Sequence, residues 1–363
     1  MSGAATTGNC RFCWMCRHVC PVGHVTARET LTPHAWALTI ESVKRGQLAW
    51  NRETADVMYA CADCGLCRAH CVTEQPLPDA IVAARAEIVR QGFAPAVVAG
   101  IDRKLRAQAR RPSIAREVPS TGAGRAALFV GESGRDGGGS SVEAAIALLR
   151  ATGVDVVPIC GGRPSGLLAS SLGLIETAET LARSVLEEVQ ASGASDLFVL
   201  APADRWTFEY VYPRRLGIAW PGIAVHEVTG LLARALADGR LTLEPRGNDG
   251  PYAYHDPCLG PRVSPERSAP RALLAAALGE ASARDLFWRG DRAHPCGAIG
   301  GLEFTSPDIA RRLADARLDD CERAGARRLV TEDPTCLGHL RAHERTGVTV
   351  TGLYELVAQH LRP

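Results

Sequence analysis

Two runs of cysteine constrain this chain more than any other feature. Cys10, Cys13, Cys16 and Cys20 stand in CRFCWMCRHVCP, and Cys61, Cys64, Cys67 and Cys71 stand in CADCGLCRAHC. Both runs have the spacing C-x2-C-x2-C-x3-C, and together they hold eight of the thirteen cysteines. The total is odd, the chain is large, and its start lacks the pattern of a secretory leader. Clustered thiols in such a setting bind metal more often than they pair as disulfides.

Thiolates are soft ligands, suited to iron–sulfur clusters, zinc or copper(I). Zinc sites usually pair two C-x2-C knuckles or mix Cys with His. The 2-2-3 run ending in Cys-Pro is instead the arrangement of bacterial ferredoxins, and two copies of it predict two [4Fe–4S] clusters. In two-cluster ferredoxins the fourth cysteine of each run serves the other cluster. Cys10, Cys13, Cys16 and Cys71 are therefore expected to hold one cluster. Cys61, Cys64, Cys67 and Cys20 are expected to hold the second. Pro21 follows Cys20, whereas Val72 follows Cys71.

The remaining sequence divides at a change of pattern. Residues 34–47 read as an amphipathic helix with Pro33 near its start and Gly46 near its end. Residues 79–110 read as two helices broken near Gly92 and Pro95. A linker rich in Pro, Gly, Ser and Arg, best taken as a solvated hinge, is placed at 111–124. Beyond it, short apolar runs alternate with helical periods, the signature of parallel sheets covered by helices. The expected fold class is α+β multidomain. A helical two-cluster ferredoxin-like domain (1–110) precedes two repeated α/β modules (125–245 and 246–363).

The two modules read as an internal repeat. GIAVHEVTGLLARAL matches GVTVTGLYELVAQHL, and LFVLAPADRW matches RLVTEDPTCL. This registration sets Ser133 opposite Cys258, Cys160 opposite Cys296, and Asp204 opposite Cys336. The second module thus carries a cysteine at three loop positions where the first keeps one.

The charges balance: 41 Lys and Arg against 40 Asp and Glu. That argues against nucleic-acid binding, which usually shows a strongly basic domain. No apolar run approaches the roughly 20 residues of a membrane helix. Membrane contact is expected only through a partner, and the location is expected to be cytoplasmic, peripheral to the inner face of a membrane.

The N-terminal pattern resembles the dicluster iron–sulfur subunits of glycolate oxidase and anaerobic glycerol-3-phosphate dehydrogenase, and those of heterodisulfide reductase. CRFCWMCRHVCPVGHVTARETLTPHAWAL and CADCGLCRAHC carry the likeness. Glu29 and Thr32-Pro33 are kept, while His34-Ala35 stands where these families have Arg-Gly. The repeat is similar to their paired cysteine-rich modules, called CCG domains. A full module has one early Cys, then Cys-Cys-Gly, then Cys-x-x-Cys. Here Pro295 and Asp333 replace two of those positions, leaving Cys258, Cys296 and Cys336 as candidates for a third iron–sulfur centre. His255, Asp256, Asp333 and Cys321 are candidates for its further ligand. The first module keeps Cys160 alone, with Ser133, Ile159, Ala201 and Asp204 elsewhere.

The resemblance implies an electron-transfer subunit. It would receive electrons from a flavoprotein dehydrogenase subunit acting on a 2-hydroxy acid, glycerol phosphate or similar molecule. It would pass them to a quinone or a carrier protein, with no organic substrate of its own. The rival is a catalytic subunit like that of heterodisulfide reductase, with an active-site cluster in the C-terminal module. A scaffold with structural clusters is the plainest alternative. His18, His24 and His70 lie near the runs, where they could tune potentials or serve as ordinary surface residues. GESGRDGGGSS (131–141) lacks both the G-x-G-x-x-G and the lysine-loop pattern and is read as a loop.

Overall fold

A computed structural model describes residues 7–110, 126–134, 139–245 and 250–362. The linker expected over 111–124 and the middle of the glycine-rich stretch lie outside the described residues.

The N-terminal part is helical. Pro33 opens the helix Pro33–Lys44 at a position where its missing N–H costs nothing. Asn51 and Thr54 close a reciprocal capping box on the helix Arg52–Tyr59, which delivers the chain to Cys61. The helices Leu77–Arg90 and Ala96–Ala109 come next, broken where Gly92 and Pro95 predict. Trp36, Ile40, Met58, Tyr59, Ile81 and Ile88 are buried in one apolar cluster with Leu172, Leu181, Leu302 and Leu313 of the later modules. Each such side chain contributes roughly 1.5–3 kcal/mol, so the helical domain is welded to both modules.

Each module contains a four-stranded parallel sheet. The first comprises β1 (Ala126–Phe129), β2 (Val157–Ile159), β3 (Asp196–Val199) and β4 (Ala224–Glu227) in the order β2-β1-β3-β4. The second comprises β5 (Tyr252–Tyr254), β6 (Ala283–Arg284), β7 (Arg328–Thr331) and β8 (Thr349–Gly352) in the order β6-β5-β7-β8. Identical strand order is the repeat expressed as topology. The strands are short and apolar because helices cover both faces. The run 283–288 reads as a full strand, yet only Ala283 and Arg284 pair with β5, so β6 is a stub at the sheet edge.

The modules join through a reciprocal contact. The helix Leu353–Gln359, last in the second module, packs on Gly139–Ala151, first in the first module; Val228–Ala237 packs on Ala269–Leu278 in the same way. One apolar cluster fills the space between them. Tyr354 donates its hydroxyl to the Leu200 carbonyl at 2.6 Å, and Ser141 donates to Glu355 at 2.7 Å. This pseudo-twofold arrangement turns the loops after β1 and β3 toward those after β5 and β7. In open parallel sheets, such switch points between strands are where ligands bind.

Arg85 joins all three parts. It is fully buried in the helix Leu77–Arg90, and its guanidinium donates to the carbonyls of Cys61 at 2.6 Å, Met58 at 2.8 Å, Ser171 at 2.7 Å and Gly300 at 3.3 Å. Gly300 sits at φ +74°, and a Cβ there would fall 2.6 Å from the Ala62 carbonyl. A glycine is required because the second module lies directly on the backbone between Cys61 and Asp63.

Candidate metal centres

The two cysteine runs adopt the same unusual backbone. Phe12 (φ 50°) and Trp14 (φ 64°) flank Cys13, while Asp63 (φ 51°) and Gly65 (φ 73°) flank Cys64. For non-glycine residues the left-handed region costs about 1–2 kcal/mol each, and such strain persists where the surroundings impose it. It curls each run so that amides as well as thiols face inward. The amides of Phe12 and Asp63 approach Cys10 Sγ and Cys61 Sγ at 3.4 Å. Cys20 Sγ caps the helix Pro21–Thr26, accepting from the Gly23 amide at 3.4 Å, with Pro21 at the first helical position. The Cys-Pro pair thus turns the chain away while leaving the sulfur inside.

The thiols fall into two neighbourhoods. Cys16 is pushed up to about 11 by burial and by the sulfurs of Cys10, Cys71 and Cys13. Cys20 is raised by burial and then by Cys64 and Cys61. Cys67 is raised by burial and by Cys61, Cys64 and Cys20, with Cys16 beyond them. The structure therefore brings Cys71 to the first run and Cys20 to the second. Crowded, buried thiols remain protonated without a cation, and metal binding would release those protons. Curled backbone, N–H···S contacts and converging sulfurs all fit a pair of cubane clusters.

The neighbourhoods differ in exposure. Cys13 is exposed and Cys10 and Cys16 are partly so, whereas Cys20, Cys61 and Cys64 are buried. The first is rimmed by Trp14 (56 % exposed), Met15 (47 %) and Val72 (80 %). The second lies against the modules, where Cys258 is raised by burial and then by Cys64 and Cys296.

In the second module Cys258, Cys296 and Cys336 line one cavity of about 150 Å³ between the two modules. Cys336 is raised by its contact with Cys296 first and burial second. His255 completes a set: its ring and the sulfurs of Cys296 and Cys336 lie within 4.8 Å of one another, all buried. His255 is 0 % exposed, and neither ring nitrogen has a hydrogen-bond partner among the described residues. Burial, then the nearby Arg317, pushes it down to about 3, so it stays neutral, the ligand form of imidazole. The other ligand candidates are engaged elsewhere. Asp256 is clamped by Arg271 with two bonds of 2.8 Å. Asp333 caps the helix Pro334–Arg341, accepting from the amides of Thr335 and Cys336. Cys321 faces the Ala326 carbonyl.

The first module contributes acid instead of thiol to the same cavity. Asp204, opposite Cys336 in the repeat, lines it with Glu132, and Glu303 of the second module joins them. Burial pushes Asp204 and Glu303 up to about 7. Cys160 sits apart in the apolar core of its own sheet, its amide held by Glu188 at 2.6 Å.

Sequence reading missed the segment 205–216. Thr207–Leu216 winds as a π-helix around Pro213, and it supplies Tyr210 and Arg215 to the second cysteine run. The mixed pattern YVYPRRL carries no periodic signal that could have announced it.

The comparisons with known proteins agree with this geometry. Residues 9–75 match the family model described as 4Fe-4S dicluster domain. Residues 252–341 match the model described as cysteine-rich domain. The chain contains a 4Fe-4S dicluster domain and a cysteine-rich domain. It is 26 % identical over 334 residues to a subunit of the dihydromethanophenazine:CoB–CoM heterodisulfide reductase of Methanosarcina acetivorans, covering 85 % of this chain and 79 % of that one. The corresponding Methanosarcina barkeri protein is 31 % identical over 195 residues, covering 51 % of this chain and 46 % of that one. A probable membrane-anchored ferredoxin of Chromohalobacter salexigens is 30 % identical over 205 residues. That match covers 55 % of this chain and only 30 % of that relative. The fold also resembles the crystal structure of a hypothetical protein from Helicobacter pylori. The TM-score is 0.63 at 8 % identity, covering 93 % of this chain and 70 % of that one. Among the described residues no helix is long and apolar enough to cross a membrane.

Proposed function

We propose that this dicluster protein is an electron-transfer subunit that carries electrons inward from its exposed face. Cys10, Cys13, Cys16 and Cys71 hold the exposed cluster, and Cys61, Cys64, Cys67 and Cys20 hold the buried one. Cys258, Cys296 and Cys336 form a third centre, with His255 as the further ligand best supported by geometry. The single observation that carries this reading is the graded burial of three adjoining thiol groups, from the rim at Trp14 and Val72 to the cavity between the modules. A flavoprotein dehydrogenase subunit would dock on the exposed face. Flavins give up two electrons and each cubane carries one, so a chain of clusters converts one into the other. A quinone or carrier protein would take the electrons onward, with the chain at the cytoplasmic face of a membrane through its partner.

A second reading has an observation in its favour. The cavity reaches Cys258, Cys296 and Cys336 and is large enough for a small acceptor, and relatives are named heterodisulfide reductase subunits. In that case the third centre is itself the site of reduction.

Anaerobic metal analysis with EPR of stepwise reduced protein tests the relay. About eight irons in two interacting cubane signals are expected, plus a further signal from the third centre. A protein that binds zinc and no iron when prepared anaerobically would end this reading.

A further inference from the structure

Arg262 occupies the boundary between the buried cluster's ligands and the third centre. It stands four residues after Cys258, in the short helix Gly260–Val263. Its side chain crosses to the second cysteine run, where a Cβ on Gly65 would meet Arg262 Cγ, Cδ and Nε at 3.8–3.9 Å. Gly65 is the residue after Cys64. The guanidinium opposes the upward push of burial on the thiols of both Cys64 and Cys258. One nitrogen, Nη1, donates to the Asp291 carbonyl at 2.9 Å. The other two, Nε and Nη2, are buried and lack an acceptor among the described residues.

Buried N–H donors without acceptors cost about 1–3 kcal/mol or more when charged. The neighbouring acidic groups are already committed: Asp63 to Arg215 and Ser171, Asp79 to Arg215 and Tyr210. The acceptors left for Nε and Nη2 are the sulfurs of the metal centres that Cys64 and Cys258 would hold. A guanidinium stays charged at every accessible pH and presents its donors in a fixed fork, so it can serve two acceptors at once.

We propose that Arg262 is a positioning residue that bridges the buried cluster and the third centre through N–H···S bonds, raising the reduction potential of the buried cluster relative to the exposed one. The inference rests on the relay reading and adds a residue that favours its direction. A cluster gains negative charge on reduction, and burial alone makes that harder. Hydrogen bonds and positive charge at the sulfurs offset it. The exposed cluster has water in this role. Arg262 supplies that stabilisation inside the molecule, so the buried cluster's potential is lifted against the penalty of burial and transfer inward is favoured.

The test is an EPR-monitored redox titration of the full chain and of the variants Arg262→Gln, Arg262→Met and Arg262→Lys, with iron counted in each. The neutral variants are expected to keep the parent's iron content and to lower the buried cluster's midpoint. The shift should correspond to at least a tenfold change in its reduction equilibrium, about 59 mV for one electron, with the exposed cluster unmoved. Arg262→Lys should recover part of the shift, since it keeps the charge but loses the fork. Gln and Met differ in polarity, so iron loss in one leaves the other to decide. An unshifted midpoint with both clusters intact, or an equal shift of both clusters, overturns the inference alone. A parent protein without a second cubane signal overturns the relay reading first, and this with it.

Discussion

Arg215 grips Asp63 with two hydrogen bonds of 2.7 and 2.8 Å, although 152 residues separate them. Asp63 lies inside the second cysteine run, and Arg215 lies at the end of the π-helix of the first module. Both side chains are nearly fully buried, 3 % and 4 % exposed. Removing one partner of such a pair leaves a charge stranded in low dielectric, which costs about 3–5 kcal/mol. Arg215→Met should destabilise the chain by about that amount. Chemical denaturation followed by cluster absorbance should show the buried cluster lost at lower denaturant than in the parent.

Cys20→Ala should damage the cluster held by Cys61, Cys64 and Cys67, although Cys20 belongs to the first run in sequence. Cys71→Ala should do the converse. Iron counts and EPR of the two single variants distinguish the sites. Selective loss of the exposed cluster in Cys20→Ala would disprove the crossed assignment.

The apolar rim of the exposed cluster should govern partner encounter and leave the cluster itself unchanged. Trp14→Ala with Val72→Ser removes two exposed apolar side chains from beside Cys13 and Cys71. Buried aromatic anchors often contribute about 2 kcal/mol or more to binding. Reduction by a docked flavoprotein should therefore slow roughly tenfold or more, with unaltered EPR. An unchanged rate would place the entry point elsewhere.

Asp204 makes stability pH-dependent. Its carboxyl rises from 3.8 to about 7 on folding, through burial first and the nearby Asp333 second. A group raised in the folded state binds an extra proton there, so stability is highest below about pH 4 and falls as pH rises through about 7. Asp204→Asn cannot ionise. Relative to the parent it should gain on the order of 1–2 kcal/mol at pH 8, and the gain should vanish near pH 4. Urea denaturation at both pH values checks the sign.

Much of the fold was legible because periodicity is local. The apolar runs at 126–129, 196–199 and 328–331 became strands, and the helical periods beside them became the covering helices. The repeat could be read because both halves keep proline and loop residues at equal offsets from their strands. Pro202 and Pro334 each open a helix three residues after a strand ends. His255 shows the limit. The tripeptide His-Asp-Pro offers both an imidazole and a carboxylate, and only folding turned the first toward Cys296 and Cys336 and the second toward Arg271.

The sequence by itself determined the metal chemistry, because a 2-2-3 spacing of thiols with a following proline fixes what a few turns of backbone can wrap. It determined the two modules as well, since strand and helix periods are written residue by residue. The tertiary structure alone decided that the second cysteine run abuts Cys258. It also decided that Arg85, Arg215 and Arg262 reach across module boundaries. These relations depend on which surfaces exclude water together, and no local spacing encodes contacts between residues as far apart in the chain as Arg85 and Gly300 or Asp63 and Arg215.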